Sequence, residues 1–145
     1  KDEIYMKRNS ESSCWDECDG RTFLNGEFYD NMSDELRAIV KPVWKLTANK
    51  NGEIVKSKDY VWLKSEKELY GRTFYSNDGE GYWYALFMQE NFPWFKLNGD
   101  NEKDWQWLRS VSAGYTGNFC RVYTGGSPDN SYSGRSFGVA PDFCT

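Results

Sequence analysis

The spacing of apolar residues predicts a first short helix from Ser33 to Val40. Ser33 can cap the free backbone amides of the first turn, and the two acidic residues that follow it suit the positive end of a helix. Leu36, Ile39 and Val40 recur at helical spacing, which predicts one apolar face. Pro42 then ends the helix.

A second short helix is predicted after Ser65. Glu68 stands three residues beyond this serine, which is the spacing of a capping box, in which each side chain accepts a hydrogen bond from the other residue's backbone. Gly71 is a suitable end because glycine adopts the left-handed conformation that commonly terminates helices.

Several other segments have the pattern of strands. Val43–Leu46 and Glu53–Val55 flank a polar turn at residues 49–52, which predicts a hairpin or a long loop, and Tyr60–Leu63 is short, aromatic and β-branched. Residues 82–88 are apolar throughout, a pattern that does not separate helix from strand, and we favour a strand. Trp105 and Trp107 alternate with polar residues, which places both indoles on one face of a strand.

Length and composition indicate one soluble domain spanning residues 1–145. The chain has 145 residues, a net charge of −4 and a pI near 4.9. Nucleic acid is not expected as a partner because attraction to phosphate needs clustered lysine and arginine. Membrane insertion is not expected either: no apolar run is long enough to span a bilayer, and the N-terminus lacks the apolar core of a signal peptide.

The absence of histidine argues against an enzyme. It removes Ser-His-Asp and Cys-His nucleophiles together with the commonest general base at neutral pH. A hydrolase that uses two carboxylates stays open as an alternative, because 22 acidic residues are present. No phosphate-cradling GxxxxGK[ST] loop occurs, and we expect no cofactor.

The four cysteines, Cys14, Cys18, Cys120 and Cys144, allow up to two disulfides but do not require any in a chain of this length. The CxxxC spacing of the first two differs from the usual zinc-binding CxxC, and no histidine could complete a mixed site. No metal site is therefore expected.

The last 36 residues differ sharply in composition from the rest of the chain. They carry four of the 40 charged side chains and contain no Lys, Glu, Gln, Met or Trp, whereas the preceding 109 residues contain 34 residues of these five types. Treated as independent draws, such a run has a probability on the order of one in a million. Gly-rich and Ser-rich loops exclude large helix formers, but the interleaved aromatic residues are typical of an adaptable binding surface.

A genetic explanation fits the same absence. An asparagine codon whose two adenines are randomised can encode fifteen amino acids, and Lys, Glu, Gln, Met and Trp are not among them. The five types that are missing from the C-terminal segment are the types that this mechanism cannot produce.

The framework of this segment resembles a known family. The runs Trp107–Ser110, Phe119–Cys120 and Gly138–Cys144, together with Gly126, resemble the variable region of diversity-generating retroelement variable proteins. The resemblance implies an α+β, C-type-lectin-like fold of the branch related to formylglycine-generating enzyme. Short antiparallel strands, two short helices and a long loop-rich C-terminal region would form it, with the variable region at about residues 107–144.

The resemblance also implies which side chains vary and contact a ligand on one face. The candidate ligand-binding residues are Gly114, Tyr115, Gly117, Asn118, Arg121, Tyr123, Gly125, Asp129, Asn130, Ser131, Tyr132, Gly134, Arg135 and Phe137. Tyrosines would supply contact area and arginines planar charged groups. The EPN, QPD and WND triplets of calcium-dependent sugar binding do not occur in the sequence, and residues 127–130 are interpreted as a turn.

We therefore expect a hypervariable binding domain on a phage tail or a bacterial surface, with a protein or glycan of a target cell as its partner. Two alternatives remain open at this stage. One is the carboxylate-pair hydrolase, and the other is a purely structural domain of a surface or virion protein.

Overall fold

The computed structural model describes residues 3–6, 14–89, 92 and 96–145. Their α-helices and strands form a mixed α+β architecture in which most strands belong to small sheets. In chain order they are β1 Glu3–Tyr5, α1 Asp19–Phe23, α2 Asp34–Ile39, β2 Val43–Ala48, β3 Ile54–Asp59, β4 Val61–Trp62, α3 Glu66–Tyr70, β5 Lys96–Leu97, β6 Lys103–Asp104, β7 Gln106–Val111, β8 Asn118–Val122, β9 Pro128–Tyr132, β10 Ser136–Gly138 and β11 Asp142–Phe143.

The largest sheet has five strands in the order β1-β10-β7-β8-β9. Strand β10 runs parallel to β7, and the other neighbours are antiparallel. All six residues of β7 are buried, because apolar clusters cover both faces of the sheet. Trp107 and Phe119 belong to the cluster on one face, and Leu108, Cys120 and Val122 belong to the cluster on the other.

Both predicted helices are confirmed, and so are their capping residues. The Ser33 hydroxyl accepts a hydrogen bond from the Leu36 amide at the start of α2. Ser65 and Glu68 form the reciprocal capping box of α3, and Gly71 ends that helix with a φ of +78°. The predicted hairpin is also confirmed, as β2 and β3 pair from Val43↔Asp59 to Ala48↔Ile54.

Several details differ from the sequence expectations. Residues 82–88 form no strand: Ala85–Met88 is a 3-10 turn in which Phe87 alone is buried, since an apolar run without β-branched residues does not fix a strand. Ile39 is exposed, so the apolar face of α2 is narrower than its spacing suggested. Helix α1, which continues into a π-helical turn over Leu24–Phe28, was not predicted.

Strands β7 to β11 occupy about half of the C-terminal region, residues 107–144, and turns and loops make up the rest. Phe119, Cys120 and Val122 of β8 bury their side chains in the two clusters. Residues 127–130 were interpreted as a turn, but β9 begins at Pro128, where an edge strand tolerates a residue without an N–H.

Within the described residues, no helix combines the length and the apolar character that crossing a bilayer requires.

Candidate ligand-binding surface

A buried ionic cluster joins β7, which pairs with β8 in the large sheet, to α3 and to β2. Arg109 of β7 donates hydrogen bonds to both carboxylate oxygens of Glu68, and to the backbone carbonyls of Leu46, Leu63 and Glu80. Lys45 adds a second cation, with its Nζ 2.6 Å from Glu68 Oε1. The two cations hold the pKa of Glu68 below its usual value despite burial.

A second buried carboxylate holds the loop that follows α3. Glu66 Oε1 accepts hydrogen bonds from the amides of Phe74, Tyr75 and Ser76, and from the Ser76 hydroxyl at 2.6 Å. A carboxylate that binds three successive amides constrains the backbone of the loop, because charge-assisted hydrogen bonds are the strong ones. The loop thus presents the rings of Phe74 and Tyr75, both more than one-third exposed, in a fixed position.

This loop adjoins the turn between β7 and β8. The Ala113 amide donates to the Tyr75 carbonyl at 2.8 Å, so the two loops share a hydrogen bond. Tyr115 at the tip of the turn is 63% exposed. The ring of Phe74 packs edge-on against Tyr70, which lies on the Leu108–Cys120–Val122 side of the large sheet.

Strands β8 and β9 place further polar side chains on that side. Asn118 pairs directly with Tyr132 and Cys120 with Asn130, so Asn118, Asn130 and Tyr132 share one face. The Asn118 Nδ2 group donates to Asn130 Oδ1 at 2.8 Å. We call the residues brought together by these contacts the tyrosine–asparagine surface: Phe74, Tyr75, Tyr115, Asn118, Asn130 and Tyr132.

The asparagine pair leaves hydrogen-bonding groups available. One N–H and the carbonyl oxygen of Asn118, and both N–H groups of Asn130, make no side-chain hydrogen bond to described residues. The surface therefore offers donors and acceptors between aromatic rings, and the guanidinium of Arg72, whose carbon lies 4.5 Å from the ring centre of Phe74, adds a positive charge beside them. This arrangement suits a polar ligand group.

Other candidate residues lie on the opposite face of the same sheet. Arg121 pairs with Asp129 at 2.8 Å, and its guanidinium carbon lies 3.6 Å from the ring centre of Trp105 and 4.6 Å from that of Phe137. Tyr123 packs edge-on against Trp105. The expected single face is therefore not formed, because successive residues of β8 point to opposite sides of the sheet.

The remaining candidates occupy turns and edges. Gly114 and Gly125 are exposed, Arg135 is exposed in the turn after β9, and Ser131 is buried. Gly117 is buried and has a φ of +85°, which favours glycine on conformational grounds. Gly134 makes room for Tyr132, since an added Cβ would lie 2.5 Å from its ring.

Sequence reasoning missed three residues of this site: Glu66, Phe74 and Tyr75. They precede the compositionally distinct C-terminal segment, residues 110–145, so the argument from the amino-acid composition of that segment could not include them. The available signal was the polar and aromatic run of residues 72–77 directly after a capped helix, which marks an exposed loop carrying aromatic rings.

The cysteines are free thiols in the structure. Burial raises the pKa of Cys14 and of Cys18 to about 12, and raises that of Cys120 as well, so these thiols stay protonated. Among the described residues, no group of three or more cysteine, aspartate or glutamate side chains is placed to hold a metal ion.

Comparisons with known proteins bear on the family alone. The family model described as a domain of unknown function, DUF6273, matches residues 1–145. No curated protein matches the chain, and neither does any solved structure.

Proposed function

We propose that this chain, which belongs to the DUF6273 family, is a binding domain that contacts an external macromolecule through the tyrosine–asparagine surface. The observation that supports it best is the placement of Tyr115, Asn118, Asn130 and Tyr132, four residues singled out by sequence, beside a loop fixed by Glu66. Rigid strands and a fixed loop lower the entropic cost of presenting aromatic side chains to a partner.

In the proposed binding mechanism, the tyrosine rings and the asparagine side-chain amides have different roles. Tyr115 and Tyr132 supply apolar contact area, and truncation of a tyrosine that is a hot spot of an interface costs about 2 kcal/mol or more. Asn118 and Asn130 fix the orientation of a polar group through their free donors and acceptor. No cofactor is part of this mechanism.

A finer proposal concerns the origin of these side chains. We propose that the domain adopts a C-type-lectin-like fold and that its C-terminal residues are diversified by a retroelement, on a phage tail or a bacterial surface. Sequencing the locus tests this: a reverse transcriptase gene and a near-identical repeat with asparagine codons at the varied positions are expected. A locus that lacks both would refute the diversification and leave the binding surface untouched.

The binding proposal is tested with the full chain on an array of cell-surface glycans and proteins. Wild type should bind a subset of array components, and the Tyr115→Ser/Tyr132→Ser double variant should lose at least about tenfold in affinity for them. Tyr82→Ser is the matched control, because Tyr82 is the most exposed large hydrophobic side chain among the described residues and lies outside the surface. Equal binding by wild type and the double variant would refute the proposal.

Neither alternative is favoured by a specific observation. The carboxylates of Glu66, Glu68 and Glu80 lie close together, but all three are buried and hydrogen-bonded within the fold, which leaves them no access to a substrate. A purely structural domain would show no selective component on the array, and that result would argue for it.

A further inference from the structure

The β2–β3 hairpin has a basic and aromatic outer face that the binding proposal does not use. Antiparallel pairing sets Trp44 opposite Lys58 and Leu46 opposite Lys56, and these four side chains point away from the buried Lys45 and Ser57 of the same strands. Trp44 is 65% exposed. A cavity of about 570 Å³ is lined by Trp44, Leu46 and Lys56, a volume within the usual range for ligand pockets.

The exposed charge of the hairpin is opposite to that of the whole chain. Between residues 41 and 59, four lysines are exposed, at positions 41, 50, 56 and 58, against the single exposed acidic residue Glu53. Neither Lys56 nor Lys58 forms an ion pair with any described residue. Lys58 Nζ instead lies 5.9 Å from the ring centre of Trp44, one of the residues that line the cavity.

The geometry of the face is two parallel rows with the same repeat. Lys56 and Lys58 are two residues apart on β3, and Trp44 and Leu46 are two residues apart on β2, so each row repeats at about 6.6 Å, twice the rise of a strand. A peptide in extended conformation has the same two-residue repeat on each of its sides. A peptide that lies on the face between the two rows directs one set of alternate side chains to the lysines and the other set to Trp44 and Leu46.

We propose that this outer face binds an extended peptide segment in which acidic and apolar residues alternate. The carboxylates pair with Lys56 and Lys58, while the intervening apolar side chains pack on Trp44 and Leu46. A short peptide fits the observations better than a nucleic acid, because the face presents only two lysines, Lys56 and Lys58, beside an apolar row, whereas binding to a phosphate backbone relies on many clustered cations.

The proposal is tested by titrating the ¹⁵N-labelled full chain with the peptide acetyl-Glu-Val-Glu-Val-Glu-Val-amide and following its amide and indole resonances. We expect shifts at the Trp44 indole N–H and at the amides of Lys56 and Lys58. The peptide acetyl-Glu-Glu-Glu-Val-Val-Val-amide has the same composition without the alternation, and it should bind at least tenfold more weakly. This site is independent of the tyrosine–asparagine surface, so either proposal can fail alone.

Charge reversal distinguishes the two lysines from the general charge of the protein. The double variant Lys56→Glu/Lys58→Glu should bind the alternating peptide at least tenfold more weakly than wild type. The matched control Lys41→Glu/Lys50→Glu makes the same change of net charge outside the face and should lose less than threefold. Trp44→Ala should also lose at least tenfold.

Four results would overturn the proposal. They are the absence of shifts at Trp44 up to a peptide concentration of about 1 mM, equal affinity for the two peptides, equal losses in the two charge-reversal variants, and tighter binding of oligo-thymidylate or anionic lipid vesicles than of the peptide. The last result would assign the face to a polyanion or a membrane surface.

Discussion

Arg109 and Glu68 face each other in the centre of the molecule through a two-point hydrogen bond, Nη1 to Oε2 and Nη2 to Oε1, with both side chains buried. Lys45 bonds the same carboxylate from β2. These contacts join β7, α3 and the hairpin. The hairpin carries the second proposed surface, and α3 and β7 each precede a loop or turn that carries part of the tyrosine–asparagine surface. The side chains of Arg109 and Glu68 are both fully hydrogen-bonded, which is the condition under which a buried ion pair can be tolerated.

Removal of the shared carboxylate should therefore destabilise the fold strongly. Glu68→Ala leaves Arg109 and Lys45 buried without their anionic partner, and we expect the free energy of unfolding to fall by about 3–5 kcal/mol. Urea denaturation monitored by circular dichroism measures this. Asp34→Ala is the control, because its pair with Arg37 is exposed and should contribute at most about 1 kcal/mol. Similar losses in both variants would contradict the interpretation.

Glu80 should give the stability a distinct pH dependence. Burial raises its pKa from 4.5 to about 7, although Ser110 and the Ala48 amide donate hydrogen bonds to it. The folded state then holds a proton that the unfolded state releases between these two values, so the contribution of Glu80 to stability is fully present below pH 4.5 and is lost as pH rises through 7. The decline attributable to Glu80 should be about 3 kcal/mol, by order of magnitude.

The variant Glu80→Gln isolates this contribution, since it keeps an acceptor oxygen for the Ala48 amide and cannot ionise. Urea unfolding of both proteins at pH 5 and at pH 8 gives the measurement. Wild type should lose more stability than the variant between the two pH values. Parallel losses would show that Glu80 stays charged in the folded state across this range.

Glycine is required at position 71 by the backbone conformation there and by the neighbouring side chain of Trp83. Its φ is +78°, and an added Cβ would lie 2.6 Å from Cδ2 of Trp83, whose indole N–H is bound to the Leu69 carbonyl. We expect Gly71→Ala to lower the free energy of unfolding by about 2 kcal/mol. Gly26→Ala is the matched control, because it lies in a helical turn with no atom within 4 Å of the added Cβ. It should stabilise by about 0.5–1 kcal/mol.

A drop in thermal midpoint for Gly71→Ala and a small rise for Gly26→Ala would separate backbone conformation from the mere addition of a methyl group. A similar change in both variants would show that Gly71 accommodates a side chain by local adjustment.

Sequence patterns were sufficient to predict those elements that are determined by contacts between residues close together in the chain. The capping box of Ser65 and Glu68, the helix end at Gly71 and the β2–β3 turn were predictable, because each depends on residues within a few positions of one another. Helix α1 was not, since its one fully buried residue is Gly20, which packs under Met6 and Ile4 of the N-terminal strand region. Such a contact leaves no periodic pattern in the sequence.

The candidate site was partly predictable for a similar reason. The resemblance to the variable proteins implied Tyr115, Asn118, Asn130 and Tyr132 as ligand contacts, but it did not say which face of the sheet each side chain would occupy. Arg121, which sequence reasoning assigned to ligand contact, is 12% exposed and lies between Trp105 and Phe137. Strand register decided this division, and register depends on how the sheet packs.

Glu66 should control the order of the loop that carries Phe74 and Tyr75. Replacement by glutamine removes the charge that strengthens the hydrogen bonds from the amides of residues 74–76, and leaves one acceptor oxygen in place so that the fold is retained. We expect hydrogen exchange at the Tyr75 and Ser76 amides to accelerate about tenfold or more, while exchange at Phe119 in β8 is unchanged. Binding through the tyrosine–asparagine surface should weaken in parallel, because the partner must then order the loop when it binds, at a cost in conformational entropy.

Glu53→Gln, which alters a carboxylate in the β2–β3 turn, should leave exchange at residues 74–76 unchanged. Faster exchange at Phe119 as well would mean that Glu66 supports the whole sheet, and unaltered exchange at Tyr75 and Ser76 would mean that the loop is ordered by its contact with Ala113.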